Sequence, residues 1–556
     1  MPIHRLICFL MPRPQALAEP AVTLHRIRPA RFPCIPVHAT LNPSFNAGAL
    51  RISPLRGRAL TLGLLALISA SPLCCRPAQA LEEIQLRLPL LDTYFTIKVS
   101  ELGSREKLRQ GNSDLAELDR ASSGALGRQL EQLFDTPLPL RVKKLVANSA
   151  GTPLFEQALL VASILGKIDG LPTRVDGEQL NQALEKAKVN GELTLLGLIQ
   201  ALPGQTATLD FEPALRGLNR LRRQQAEARQ LITSLPAVTG DPRLLAAGPL
   251  LPLVSKTSVV VKHRPVPLEL ELIRPAQGGN GHLVVISHGL WDRPASFEGW
   301  ARQLASTGYT VVLPFHPGSD SGQQQAMLSG SAPPPGPEEL KLRPLDVSAV
   351  IDAVADGRIA GLGGVKADRV VVIGHSWGAT TALQLAGATP SSQLLKQRCS
   401  NLDDPERNLS WVLQCSFLDA ADRAGLVDPR VMAVAAVSPP LHLLFAPGAS
   451  MGLQARVLLV SGSQDWVVPA DPEAINPFRS AVPGGHDLVL ADGGDHFNLR
   501  GPQETAGGPL RGLLLAWVNA AFAAGSAVRP APAAPSLLPP SGWGDAEIPL
   551  VRVSRQ

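Results

Sequence analysis

The chain lacks an apolar run long enough to cross a bilayer as a helix. Its best candidate is Ala59 to Ala70 (ALTLGLLALISA), with the few residues that follow to Leu73. That is roughly 12 to 15 residues, whereas spanning needs ~20. A net basic charge is missing outside the first 80 residues. Nine Arg against the single acid Glu19 give that leader +8, so the +5 of the whole chain leaves −3 for the remainder. A nucleic-acid partner thereby loses its electrostatic footing. Cysteine is sparse as well, and Cys8, Cys34, Cys74 and Cys75 all fall in the leader, leaving only Cys399 and Cys415. Such a pair, separated by a short loop in an exported chain, reads as a disulfide pinning a surface insertion, with two unpaired buried thiols as the alternative.

What is present in the leader, residues 1–80, is a secretory signal pattern. Arg51, Arg56 and Arg58 precede the apolar region of about 59–73, and Ala78-Gln79-Ala80 supplies small residues for a signal peptidase. Cleavage after Ala80 and an exported product, periplasmic or extracellular, are expected. The length of the run disfavours a retained anchor, and the residues before Cys74 and Cys75 lack the Leu-small-small pattern of a lipoprotein. Residues 1–50 read as an over-extended start or a disordered segment.

With 556 residues at 45% hydrophobic content, the chain can bury more than one core. Residues 81–250 open on two alternating segments, Ile84 to Leu88 and Tyr94 to Val99, which predict a hairpin around Leu90-Leu91-Asp92. Helical spacing follows in Leu126-Leu130-Leu133, Phe155-Leu159-Ala162-Leu165 and Leu180-Ala183-Leu184, and a longer helix is expected over Arg216 to Leu235 with a solvated charged face. This mainly helical domain shows no metal-ligand spacing and no phosphate loop, and its role is not legible.

From residue 257 to about 525 the pattern becomes strand, loop, helix. Ser258 to Lys262 and Pro267 to Ile273 predict an opening antiparallel pair. His282 to Ser287, Tyr309 to Pro314 and Arg369 to Gly374 predict buried strands, with helices near Ala295 to Ser306 and Leu345 to Ala355. Runs such as Val370-Val371-Val372-Ile373 suit strands covered on both faces, hence a doubly wound, mostly parallel sheet. Residues 390–430 read as a cap-like insertion whose Leu394, Leu395, Trp411 and Phe417 form either a pocket roof or a satellite core. Residues 526–556 read as a Pro-rich tail.

Gly374-His375-Ser376-Trp377-Gly378 has the form of a nucleophile elbow, a serine on a strand-to-helix turn. Alone the pattern is weak, but an apolar strand precedes it and an apolar-faced helix, Thr380 to Ala386, follows. Serine needs a base and an orienting acid. The order Ser, acid, His selects Asp465, after the strand Ala455 to Val460, and His496, after the strand Asp487 to Leu490. His486 precedes that last strand, His375 sits inside the elbow, and Asp492 and Asp495 read as turn chemistry. The backbone N–H groups of Trp377 and of Leu290, after Ser287-His288-Gly289, are the expected oxyanion donors. Trp291 and Phe297 are the expected substrate-binding residues, with His288 structural.

The combination SHGLWDRPASF, GHSWGA, SGSQDWVVP and GGDHF resembles secreted cyanobacterial α/β-hydrolases related to dienelactone hydrolases and platelet-activating-factor acetylhydrolases, in which an uncharacterised helical domain comes first. The likeness extends over Leu81 to Leu235. It implies an α/β-hydrolase fold and carboxylic-ester hydrolysis, with no metal and no organic cofactor. Two departures stand out. Dienelactone hydrolases use cysteine where this chain has Ser376, and the acetylhydrolases carry their acid one strand earlier, where this chain has Val437-Ser438-Pro439-Pro440. The expected partner is a small-molecule or lipid ester, with peripheral membrane contact left open and the oligomeric state unread. A lipid acyltransferase and a catalytically dormant envelope scaffold are the other readings.

Overall fold

The computed structural model describes residues 81–554 apart from 89–92, 135–139, 170–175, 190–191, 203, 483, 526–528 and 533. The leader with its signal and cleavage point, the turn at Leu90-Leu91-Asp92 and the first residues of the Pro-rich tail lie outside the described residues. Among the described residues no helix is long and apolar enough to cross a membrane.

The alternating opening segments form β1 (Glu83–Leu88) and β2 (Thr93–Lys98), paired antiparallel with Ile84 opposite Ile97. Two further strands were not visible in the pattern. β3 (Gly166–Ile168) and, after the two-residue strands β4 (Lys188–Val189) and β5 (Glu192–Leu193), β6 (Thr206–Asp210) complete a four-stranded sheet in the order β2-β1-β6-β3. Short helices surround it. The expected helix over Arg216 to Leu235 is two helices, Glu212–Gln224 and Ala226–Ser234, broken at Gln225. Arg222, Arg223 and Arg229 are exposed as expected. The second helix, however, buries Ala228 completely against the core of the large sheet, with Leu231, Ile232 and Leu235 beside it.

That large sheet has nine strands in the order β15-β14-β13-β12-β11-β9-β10-β8-β7. They are β7 (Pro252–Val259), β8 (Leu268–Pro275), β9 (His282–Ser287), β10 (Thr310–Pro314), β11 (Lys366–His375), β12 (Val431–Val437), β13 (Arg456–Gly462), β14 (Asp487–Ala491) and β15 (Leu550–Val553). The six from β14 to β10 are parallel, and β8, β7 and β15 are antiparallel edges. The apolar run in β11 splits by the two-residue period of a strand. Val370 and Val372 enter one core with helices Glu339–Ala355 and Trp377–Leu385, while Val371 and Ile373 enter the other with Glu298–Ser306 and Arg511–Ala523. Burial on both faces is why these strands read as continuous rather than alternating apolar segments.

Three element boundaries differ from expectation. β7 spans Pro252–Val259 instead of Ser258 to Lys262, because the chain leaves the sheet after Val259 to deliver His263 and Arg264 to a buried carboxylate. The helix expected from Leu345 begins at Glu339 and carries Pro344 inside it. Leu550–Val553, beyond the Pro-rich stretch, closes one sheet edge by pairing with β14.

Candidate active site

The loops after β9, β11, β13 and β14 leave the carboxyl ends of the parallel strands and converge, as ligand-binding loops do in open α/β sheets. Ser376 follows β11 directly with φ 54° and ψ −125°, a conformation costly for a residue with a Cβ and held here by its surroundings. Its N–H donates to Val437 O at 2.9 Å, so the turn is tied to β12. The flanking glycines are required by space. A Cβ on Gly374 would lie 2.1 Å from Gly378 O, and one on Gly378 would lie 2.0 Å from Ser287 O.

His496 Nε2 lies 3.1 Å from Ser376 Oγ, and His496 Nδ1 lies 3.0 Å from Asp465 Oδ2. Ser376 and His496 are 8% and 6% exposed and Asp465 is fully buried, so three groups distant in sequence meet in one enclosed line. Asp465 is itself fixed. Its Oδ1 accepts the backbone N–H groups of Val467 at 2.9 Å and Val468 at 2.7 Å. His375, in the elbow, donates from Nε2 to the carbonyl of His496 at 2.9 Å and thereby holds the histidine loop. Burial, with the neighbouring His496 next, pushes the His375 imidazole well below its usual pKa, so it stays neutral. Asp495 caps its own turn through the N–H groups of Phe497 and Asn498, and His486 accepts from Val457 N at the opposite ends of the strands.

Trp377 opens the helix Trp377–Leu385, so its N–H belongs to the first turn, which has no intrahelical acceptor. Gly289 runs against Ser376, its missing Cβ being 3.0 Å from Ser376 Cβ, and Leu290 lines the same cavity. Trp291, at φ 56°, donates its backbone N–H to Ser319 O at 2.7 Å and its Nε1 to Gln323 at 2.8 Å.

Beneath this loop is a buried ionic network that the sequence did not reveal. Arg343 donates to His288 O and, at 3.0 Å, to Ser319 Oγ, and its guanidinium lies 4.7 Å from the centroid of the Trp377 ring. Arg264 bridges Glu339 and Asp346, and Asp346 also pairs with His263 and His316 at 2.7 and 2.8 Å. Burial lowers Arg343 to about 9, partly offset by Glu339 and Asp346, and lowers His316 to about 3. His288 is likewise held neutral, chiefly by burial.

The cavity over Ser376 measures about 610 Å³ and has an apolar lining. Trp291 lines it. Phe297 does not: it is fully buried with its ring centroid 5.1 Å from Trp300 and 5.5 Å from His375, in the core under the site. An aromatic in the loop after β9 was read as facing substrate, but the turn Pro294–Phe297 points it inward. The cap-like insertion divides its tasks. Trp411 and Phe417 form a satellite core with Leu395 and Trp377, while Leu409, Val412 and Leu413 face the cavity. Cys399 and Cys415 are joined by a disulfide within it. Glu473, fully buried, accepts from Asn408, Ser410 and Gln414 of the insertion and from the N–H groups of Leu441 and His442, so one carboxylate fastens the insertion to the loop after β12.

A family model described as alpha/beta hydrolase fold matches residues 282–402. No curated protein matches the chain. The matched residues run from β9 through the elbow into the insertion, so they include Ser376 and both oxyanion candidates but stop short of Asp465 and His496. Topology, elbow and family model together give this region the α/β-hydrolase fold and support hydrolysis as its chemistry in general.

Proposed function

We propose that the chain is a serine hydrolase that cleaves carboxylic esters through an acyl-enzyme intermediate, acting on small or lipid-derived esters outside the cytoplasm. The observation that carries this reading is the Ser376–His496–Asp465 line at the floor of an apolar cavity. His496 takes the Ser376 proton as Oγ attacks the ester carbonyl, and the N–H groups of Trp377 and Leu290 stabilise the oxyanion. Asp465 holds the imidazole with its proton on Nδ1 and stabilises the cation that forms. Collapse of the tetrahedral adduct expels the alcohol, which leaves with the proton from His496. A water then attacks the acyl group by the same route, releasing the acid and free Ser376. Water is the sole co-reactant. The narrower likenesses bear on substrate only. A cysteine nucleophile is absent, and at the acetylhydrolase acid position the loop after β12 offers Ser438, buried and at φ 48°.

The test is turnover of p-nitrophenyl esters of graded acyl length by the wild-type chain and by Ser376→Ala, with fluorophosphonate labelling in parallel. Activity and labelling that both vanish in the variant support the proposal. A wild-type chain that neither turns over nor labels sinks it.

A further inference from the structure

We infer that the N-terminal domain forms one wall of the acyl-binding cavity and sets the acyl length accepted there, with Ala158 as the residue that gates it. This rests on the esterase reading above and names its substrate class as esters of medium and long acyl chains.

The helix Pro153–Ala162 packs against Trp411–Ser416 of the cap insertion. Its Leu154 is buried in the same satellite core as Trp377 and Trp411. Leu154, Phe155 and Ala158 line the cavity that contains Ser376 and His496, and Leu145 and Ser149 reach it from the neighbouring helix Leu140–Ser149. That neighbour is tied to the hydrolase region by Asn148 Nδ2 donating to Gly330 O at 2.7 Å. Further along, Gln224 donates to Arg407 O at 3.2 Å, and Gln225 to the backbone carbonyl of Asp465 at 3.3 Å. Arg479 pairs with Glu227 at 2.8 Å. The domain is thus fastened to the cap and to the acid loop, and Leu154, Phe155 and Ala158 of its inner helix line the cavity that holds Ser376.

The chemistry of the wall points to an alkyl chain. A cavity of about 610 Å³ lies within the ~300–1,000 Å³ of sites that enclose drug-sized ligands. That is far more than an acetyl group fills. Its polar groups include Ser376 and His496, the Arg500–Asp292 pair, Gln324 and Ser410, while the N-terminal wall presents Leu145, Leu154, Phe155 and Ala158 with Ser149 as a polar side chain among them. Ala158 is exposed and its helix is otherwise bulky on that side, so the small side chain leaves the space that a chain would occupy.

The experiment measures kcat/KM for p-nitrophenyl decanoate over that for p-nitrophenyl acetate in the full wild-type chain, Ala158→Trp and Ala158→Asp. The ratio is independent of the active fraction, so partial misfolding cancels. Each methylene kept out of apolar contact costs about fourfold, so the ratio should fall at least about tenfold in both variants. A ratio within about twofold of wild type in both overturns the inference. In parallel, 11-(dansylamino)undecanoic acid is titrated into Ser376→Ala with and without Ala158→Trp. Weaker binding in the double variant is expected. If the wild-type chain hydrolyses neither ester, the esterase reading fails and this titration alone decides: an unchanged Kd, or no binding in either protein, overturns the wall.

Discussion

Replacing Asp465 by Asn should disable the site without disturbing the fold, and the structure says how. Asp465 Oδ1 accepts two backbone N–H groups, from Val467 and Val468, while Oδ2 faces His496 Nδ1 at 3.0 Å. An asparagine can satisfy both N–H groups only with its carbonyl oxygen, which turns its NH2 group toward Nδ1. Nδ1 must then accept, so the imidazole proton moves to Nε2 and points at Ser376 Oγ, 3.1 Å away. The base has lost its lone pair toward the nucleophile. The same tautomer error costs about 10⁴-fold in kcat in serine proteases, and at 1.36 kcal/mol per tenfold this is about 5.4 kcal/mol of barrier. The assay is kcat on an ester the wild type turns over, with the fluorophosphonate labelling rate and the thermal midpoint measured on the same samples. Labelling should slow with kcat while the midpoint holds, because both backbone hydrogen bonds survive. Asp492→Asn, on an exposed turn near His496, serves as the control. An Asp465→Asn chain that keeps more than a tenth of wild-type kcat, or that loses activity only alongside its fold, refutes the reasoning.

Three other outcomes follow from the same geometry. Gly378→Ala places a methyl 2.0 Å from Ser287 O and must push the elbow away from the loop after β9. A displacement of that kind costs about 100-fold in activity, whereas Gly363→Ala, which meets nothing within 4 Å, should be neutral in the same assay. Arg343→Met removes the donor to His288 O and the cation over Trp377, so kcat should fall at least about tenfold with KM nearly unchanged, since one oxyanion donor alone is worth ~10²–10³. A KM effect alone would argue against a role in positioning the oxyanion loop. Acidification should destabilise the chain, because burial holds His288, His316 and His375 neutral, His316 down to about 3, against about 6.5 when unfolded. Stability from these groups is fully present above pH 6.5 and is lost as pH falls below it, by up to about 1.4 kcal/mol per pH unit for each imidazole. Glu271, Asp471 and Asp487, raised chiefly by burial, oppose this nearer the carboxylate range, so denaturant midpoints at pH 7.5 and 5.5 isolate the histidine effect. Equal or greater stability at pH 5.5 would contradict it.

The parts of the site that depend on chain order and on strand ends were legible in the sequence. β11 carries the β-branched run Val370–Ile373, the elbow follows that run at once, and Asp465 and His496 each stand just past an apolar strand. What local pattern cannot supply is the identity of the surface a residue meets. Phe297 and Trp291 sit six residues apart in one loop, and only the turn Pro294–Phe297 decides that one enters the core and the other the cavity. Glu339 and Arg343 fall before the helix expected from Leu345, so their place in a buried network was hidden. Glu473 lies in a short segment with no apolar period of its own, yet it collects five donors from two loops.

The N-terminal domain shows the same limit on a larger scale, and it changes how the chain should be dissected. Periodicity marked Phe155-Leu159-Ala162-Leu165 as an apolar stripe, and an apolar stripe says only that something covers it. In the structure the adjoining residues Leu154 and Ala158 turn to the hydrolase cavity, and Leu154 shares a core with Trp377, whose N–H is a proposed oxyanion donor. Removing residues 81–250 would therefore do more than delete a neighbour. It would strip Ala228 and Leu231 from one face of the large sheet, uncover the satellite core beside the elbow, and release the Gln225 contact to the acid loop. A truncated chain that fails to turn over an ester would report lost folding as readily as a lost lid. Point substitution at an exposed cavity-facing position, read as a ratio between two esters, separates those two effects because folding cancels and cavity shape does not.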